Sequence, residues 1–154
     1  NESLETSIPG VFACGNVLHV HDLVDYVSQE AEKAGKYAAL YIKGEIRNPS
    51  GEETVRLVAK NGVRYTVPQN LHPSQMEDTL TVRFRVGDIY KNCYIGIYLD
   101  DRQIARIRKN KLAPGEMEQV ILKKKDVLSQ MGHSQPGLKT ITIQVERGEA
   151  NGTA

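Results

Sequence analysis

The sequence predicts a mainly β protein, α+β overall: a β-sandwich preceded by one strand–helix unit. Three observations predict it. Apolar residues recur at helical steps between residues 22 and 42. From Thr54 to Glu146 they alternate at period two instead. The polar, Pro/Gly-containing stretch Asn48-Pro49-Ser50-Gly51-Glu52-Glu53 separates the two regimes. The 154 residues are 40% hydrophobic and 25% charged, enough for one modest core. No apolar run approaches the roughly twenty residues that a membrane helix needs.

The first unit reads strand, turn, helix. Gly10-Val11-Phe12-Ala13-Cys14-Gly15 is a short apolar run closed by glycine, the pattern of a buried strand in an α/β sheet. From Asp22 the period is helical, with Leu23, Val27, Ala31, Ala34, Ala38 and Tyr41 or Ile42 on one stripe. Asp22 is placed as N-cap, and Asp25 favours the positive helix end. Lys43 and Gly44 supply a basic last turn and a C′ glycine. Gly35 inside the helix costs about 1 kcal/mol against Ala, and its bare side suits close approach of a neighbouring element.

Seven strands follow. Thr54–Lys60 alternates, with Val55, Leu57 and Ala59 on one face, and Asn61-Gly62 is a hairpin signal because both residues tolerate positive φ. Val63–Val67 ends at Pro68. Thr79–Val86 points Leu80, Val82, Phe84 and Val86 inward and Thr81, Arg83 and Arg85 outward. Cys93–Leu99 and Gln103–Arg108 flank an Asp100-Asp101 turn. Met117–Leu122 and Lys139–Glu146 complete the set, with a short helical turn over Lys125–Met131. Strands of this number and spacing suggest an immunoglobulin-like sandwich. The tail 148–154 reads as disordered.

Charge divides along the same line. Residues 1–53 carry nine acids and four bases, a net −5, while the remainder carries +6, so the total of +1 conceals two unlike segments. Cys14 and Cys93 form neither a disulfide framework nor a zinc site. They read as small apolar residues in a reducing, cytoplasmic chain. The chain opens on Asn1 with no leader pattern, which suggests trimming or a piece cut from something longer.

The stretch Thr6-Ser7-Ile8-Pro9-Gly10-Val11-Phe12-Ala13-Cys14-Gly15-Asn16-Val17 resembles the second flavin-contacting motif of the FAD-dependent pyridine nucleotide-disulfide oxidoreductases, the thioredoxin-reductase-like group. The helix ending Ala34-Gly35-Lys36-Tyr37-Ala38-Ala39 is similar to that family's final helix. The resemblance covers the first third of the chain. It implies that Gly15 allows close approach to FAD, that Asn16 binds a ribityl hydroxyl, and that amides near Val24 and Asp25 face the edge of the flavin ring. Two departures stand out. Asn16 replaces the family's Asp, keeping an acceptor but losing the charge, and Leu18–His21 lengthens the turn. The physics is compatible, since a glycine turn followed by a helix start presents backbone amides to an anionic or polar group.

No G-x-G-x-x-G or C-x-x-C is present, so the cradles for FAD and NAD(P) pyrophosphates are missing. The resemblance therefore implies a C-terminal fragment. Residues 1–46 are the last strand–helix piece of an FAD-binding domain, and 47–154 are an appended sandwich for assembly or docking. The fragment alone is expected to be inactive and to bind no FAD. Its first partner is the rest of the parent flavoenzyme. The stripe on the helix needs cover, from the sandwich or from a second copy in a homodimer formed by packing or exchange. The alternative is a stand-alone, non-enzymatic binding module.

His19-Val20-His21-Asp22 invites a metal reading, but the sequence places no third ligand, so no metal is assigned. The histidines read as a turn over the flavin or substrate pocket, or as a plain capping turn. The basic residues Arg102, Arg106, Arg108, Lys109, Lys111, Lys123, Lys124 and Lys125 lack interleaved aromatics. They read as solvated faces rather than a nucleic-acid surface. Tyr94 and Tyr98 share one sheet face and read as sheet packing. Asn151-Gly152-Thr153 matches a glycosylation sequon that a cytoplasmic chain would not use.

Overall fold

The fold was obtained as a computed structural model that describes residues 1–46, 53–131 and 139–148. The break at 48–52, His133, and the sequon and tail beyond 148 lie outside the described residues. The fold is mainly β and α+β overall, with eight strands in two sheets and two α-helices among the described residues.

The strands are β1 (Val55–Lys60), β2 (Val63–Val67), β3 (Asn70–Leu71), β4 (Thr79–Val86), β5 (Tyr90–Leu99), β6 (Arg102–Leu112), β7 (Glu118–Lys123) and β8 (Lys139–Arg147). One sheet runs β3-β1-β8-β5-β6 and the other β2-β4-β7. β1 pairs in parallel with β8, and every other pair is antiparallel. This five-plus-three order differs from the four-plus-three antiparallel arrangement of an immunoglobulin constant domain.

The sheets face each other across one core. Leu80, Val82, Phe84 and Val86 of β4, with Val120 and Leu122 of β7, meet Ile95, Ile97 and Leu99 of β5 and Ile141, Ile143 and Val145 of β8. The alternation expected along β4 is present residue for residue. Cys93 is buried within this core as a free thiol, and burial raises its pKa. A helix over Lys124–Met131 (α2) inserts Val127 into the same core.

Asn61 and Gly62 do adopt positive φ, +42° and +94°. They do not close a hairpin, however. β1 enters the five-stranded sheet and β2 the three-stranded one, so the turn carries the chain between layers. The twist of a primed turn suits a sharp reversal, but ladder pairing is decided elsewhere. β1 finds parallel partners in β8 from Val55–Lys139 to Lys60–Gln144. The sequence reading also missed the two-residue β3.

The N-terminal unit departs further from expectation. Residues 10–15 are not a strand, and only an isolated Glu5–Phe12 bridge forms there. The run has no sheet to join. It turns back on residues 4–6 through the Thr6 N–H to Val11 carbonyl and Ala13 N–H to Leu4 carbonyl bonds, and Gly15–Val17 is a 3-10 turn.

The helix itself spans Val24–Ile42 (α1). Gly44, at φ +73°, ends it. The Glu45 N–H reaches the Leu40 carbonyl and the Gly44 N–H reaches the Tyr41 carbonyl, a Schellman closure. The N-terminus differs from the sequence reading, because Leu23 occupies the cap position and no side chain caps it. Asp22 is drawn off to the sandwich, where it accepts from Arg85 and from the Met117 N–H. The buried line is Glu30, Ala34 and Tyr37, so Leu23, Ala31 and Ile42 of the expected stripe face outward. Gly35 likewise meets open space rather than a neighbour.

α1 and the segment before it are tied by charge to the sandwich. Glu2 accepts from the His72 backbone N–H at 2.9 Å. Glu30 pairs with Arg83 at 3.2 Å, and Asp22 with Arg85. Lys36 and the Tyr37 hydroxyl both meet Glu77 at 3.0 Å. Thus Arg83 and Arg85, which alternation placed on the outer face of β4, are among the residues that receive the N-terminal unit, with His72 and Glu77.

Candidate functional site

The site is built where the chain enters α1. Gly15 sits at φ +69°, an angle that favours glycine, and a Cβ there would press on Val27 Cγ1 at 3.2 Å. Its N–H donates to Glu30 Oε2 at 3.1 Å. Glu30, on the buried face of α1, thereby reaches back and fixes the turn that precedes its own helix.

Both histidines of the His-x-His pair converge on that carboxylate. His19 Nε2 lies 2.7 Å from Glu30 Oε1, and His21 Nε2 lies 2.9 Å from Glu30 Oε2. Arg83 Nη1 of β4 adds a third side-chain donor on Oε1. With the Gly15 amide the carboxylate receives four donors, its full acceptor capacity. Burial alone would raise the Glu30 pKa. The hydrogen bonds and charge of His19, with those from Gly15 and His21, outweigh burial and hold it below the ordinary carboxylate range. On each ring it is Nε2 that faces the carboxylate.

The cluster is almost dry. The side chains of His19, His21 and Glu30 are 3%, 1% and 2% exposed. The imidazole rings lie 4.3 Å apart, and Tyr65 of β2 meets His19 edge-on at 6.3 Å. Tyr26 stacks on Arg83 at 5.4 Å. Three buried nitrogens in this cluster have no hydrogen-bond partner: His19 Nδ1, His21 Nδ1 and Arg83 Nε. His19 also lines a cavity of about 860 Å³ shared with Tyr65, Pro68 and Arg85, and Glu30 and Arg83 line a second of about 230 Å³.

No family model, curated protein or solved structure matches the chain. The site therefore rests on its own geometry.

The four positions singled out from the sequence fall in two places. Gly15 and Asn16 join the histidine cluster; Asn16 is exposed and its Oδ1 accepts from the His21 N–H at 3.3 Å. Val24 and Asp25 form the uncapped first turn of α1, on the surface. Around them Val17, Val20, Leu23 and Val24 are 85%, 61%, 55% and 74% exposed, an apolar collar about the helix start. Sequence reasoning missed Glu30, Arg83 and Tyr65. One signal was available, since Glu30 stands at a helical step from Val27 and Ala34, an acid on an otherwise apolar line.

Two of the basic residues have local acidic partners. Arg106 pairs with Glu146 and stacks on Tyr94 at 3.8 Å, and Lys109 pairs with Glu118. Tyr98 donates to Glu146 on the same outer face. Among the described residues no helix is long and apolar enough to cross a membrane.

Proposed function

We propose that the chain is the C-terminal piece of a cytoplasmic oxidoreductase that uses FAD and a pyridine nucleotide, with residues 1–46 completing the flavin site and the sandwich serving assembly or docking. One observation carries the reading beyond the sequence resemblance. A positive-φ glycine turn leads into a helix whose first turn no side chain caps, inside a collar of exposed valines and leucine. Side-chain caps ordinarily satisfy such amides. Here the amides of Val24 and Asp25 remain available to a polar ring edge, and the collar suits a flat apolar ring system beside them.

In this reading Gly15 lets the backbone approach the cofactor and Asn16, exposed on the turn, offers its amide to a ribityl hydroxyl. FAD bound in the parent supplies the hydride-accepting ring. This chain's residues orient it and keep water from one edge. Glu30 acts one step removed, holding the Gly15 amide and both imidazoles in place. The substrate of the parent stays open, because the sandwich is not the interface domain of the disulfide reductases.

The test is direct. The reading frame upstream of Asn1 should encode a strand, a G-x-G-x-x-G turn and a helix. The longer protein should purify yellow with one flavin, and the 154-residue chain colourless. A start codon immediately before Asn1 would favour the second reading, a binding module whose N-terminal unit serves only to pack, for which the charged ties to β4 are the supporting observation. Stoichiometric FAD on the isolated chain would contradict the fragment reading.

A further inference from the structure

We infer that His19, His21 and Glu30 form a binding site for a divalent first-row transition metal ion. The inference is independent of the flavin reading. The H-x-H pair lacked a third ligand in sequence, and folding supplies it: Glu30 comes from α1, nine residues beyond His21, with one donor atom from each of the three side chains within 4.8 Å of the others. Two imidazoles and one carboxylate are a donor set that borderline divalent ions accept, with coordination positions left over.

The distances are close to what ligation needs. Two donors each about 2.0–2.1 Å from a tetrahedral ion are about 3.3 Å apart. The two histidine–carboxylate separations are 2.7 Å and 2.9 Å, so each of these pairs must open by about half an ångström, and all three donor atoms lie within 4.8 Å of one another. The bonds that would resist opening are few. Each ring is held by one nitrogen only, the other being buried without a partner. Unpartnered buried nitrogens are costly, and a cluster holding three has more donor and acceptor capacity than its own bonds use. Glu30 can give Oε1 to the ion and keep Oε2 on the Gly15 amide, so the turn survives loading.

Arg83 opposes the ion, because its guanidinium donates to Oε1. Arg83 is therefore the residue that sets affinity without being a ligand.

The experiment is a titration of the isolated 154-residue chain with Co(II), followed by visible absorption, and with Zn(II), followed by calorimetry. One equivalent should bind, with a ligand-field spectrum of low coordination number. His19→Gln and Glu30→Gln should each weaken Zn(II) binding by more than about 100-fold, beyond what outer-shell changes cost. Arg83→Gln should tighten it. Because Glu30→Gln could loosen the fold, ring resonances of the wild-type chain provide a second measurement: Zn(II) should shift those of His19 and His21 and leave those of His72 unchanged. Absence of one-equivalent binding, binding that shifts His72 instead, or a folded Glu30→Gln chain that binds like wild type would each overturn the site. A chain that carries no flavin as purified and binds Co(II) would leave the flavin reading untouched, so the two proposals fail separately.

Discussion

Glu30 is the residue on which the N-terminal unit turns. It is a buried acid whose four donors come from three places: the Gly15 amide, the two histidines, and Arg83 across the seam. Replacing one partner of such a group strands the others, and breaking a buried pair typically costs about 3–5 kcal/mol. Glu30→Gln keeps the shape but removes the charge, leaving Arg83 uncompensated. The expected outcome is loss of attachment of residues 1–46, read as accelerated amide exchange in α1, with the sandwich intact. Arg83→Met removes the opposite partner, and a double-mutant cycle between the two should show coupling. Additive effects would mean that the pair carries no such role. Apart from the acid on the apolar line of α1, none of this was legible from residue types. Alternation put Arg83 outside, and Glu30 was passed over, because neither pattern carries the fact that a second unit covers the outer face of β4.

Elements were more legible where period and partner agree. β4, β5, β7 and β8 alternate against a single core and were readable to within a few residues. The Gly10–Gly15 run failed because strandedness is a property of a neighbour: the run is apolar, but it pairs with neither sheet and makes only the Glu5–Phe12 bridge. The Asn61-Gly62 turn shows the same limit, with local φ foreseeable and pairing not. Gly62 makes this testable. At φ +94°, with the Tyr90 hydroxyl where its Cβ would stand, Gly62→Ala should destabilise the sandwich by more than about 1 kcal/mol in urea unfolding. Gly35→Ala should do the reverse. Gly35 has helical backbone and open space, so the isolated chain should gain up to about 1 kcal/mol in α1, seen as slower amide exchange. A loss there would mean that some element already lies against the bare side.

At the scale of the whole molecule, the two units differ in what holds them. The sandwich coheres through a buried apolar core, whereas its seam with residues 1–46 is mostly polar and should respond to pH. The contact of Tyr37 and Lys36 with Glu77 fixes the window. Hydrogen bonds from Lys36 and Tyr37 hold the Glu77 carboxyl below its ordinary value of 4.5, so it contributes stability above pH 4.5 and loses it as pH falls through the lower folded value. Burial, and then the bond to Glu77, push the Tyr37 phenol up to about 12 from 10.0. The native state prefers the neutral phenol, so that contribution is full below pH 10 and disappears as pH climbs towards 12. The seam at this point should therefore be firm between pH 4.5 and 10 and loosen on both sides. Amide exchange or limited proteolysis of α1 across that range should show a plateau with two shoulders. Tyr37→Phe should abolish the alkaline shoulder and weaken the acid one, because Lys36 still meets Glu77. A tyrosinate titration in which every phenol ionises near 10 would remove the basis for the alkaline limb.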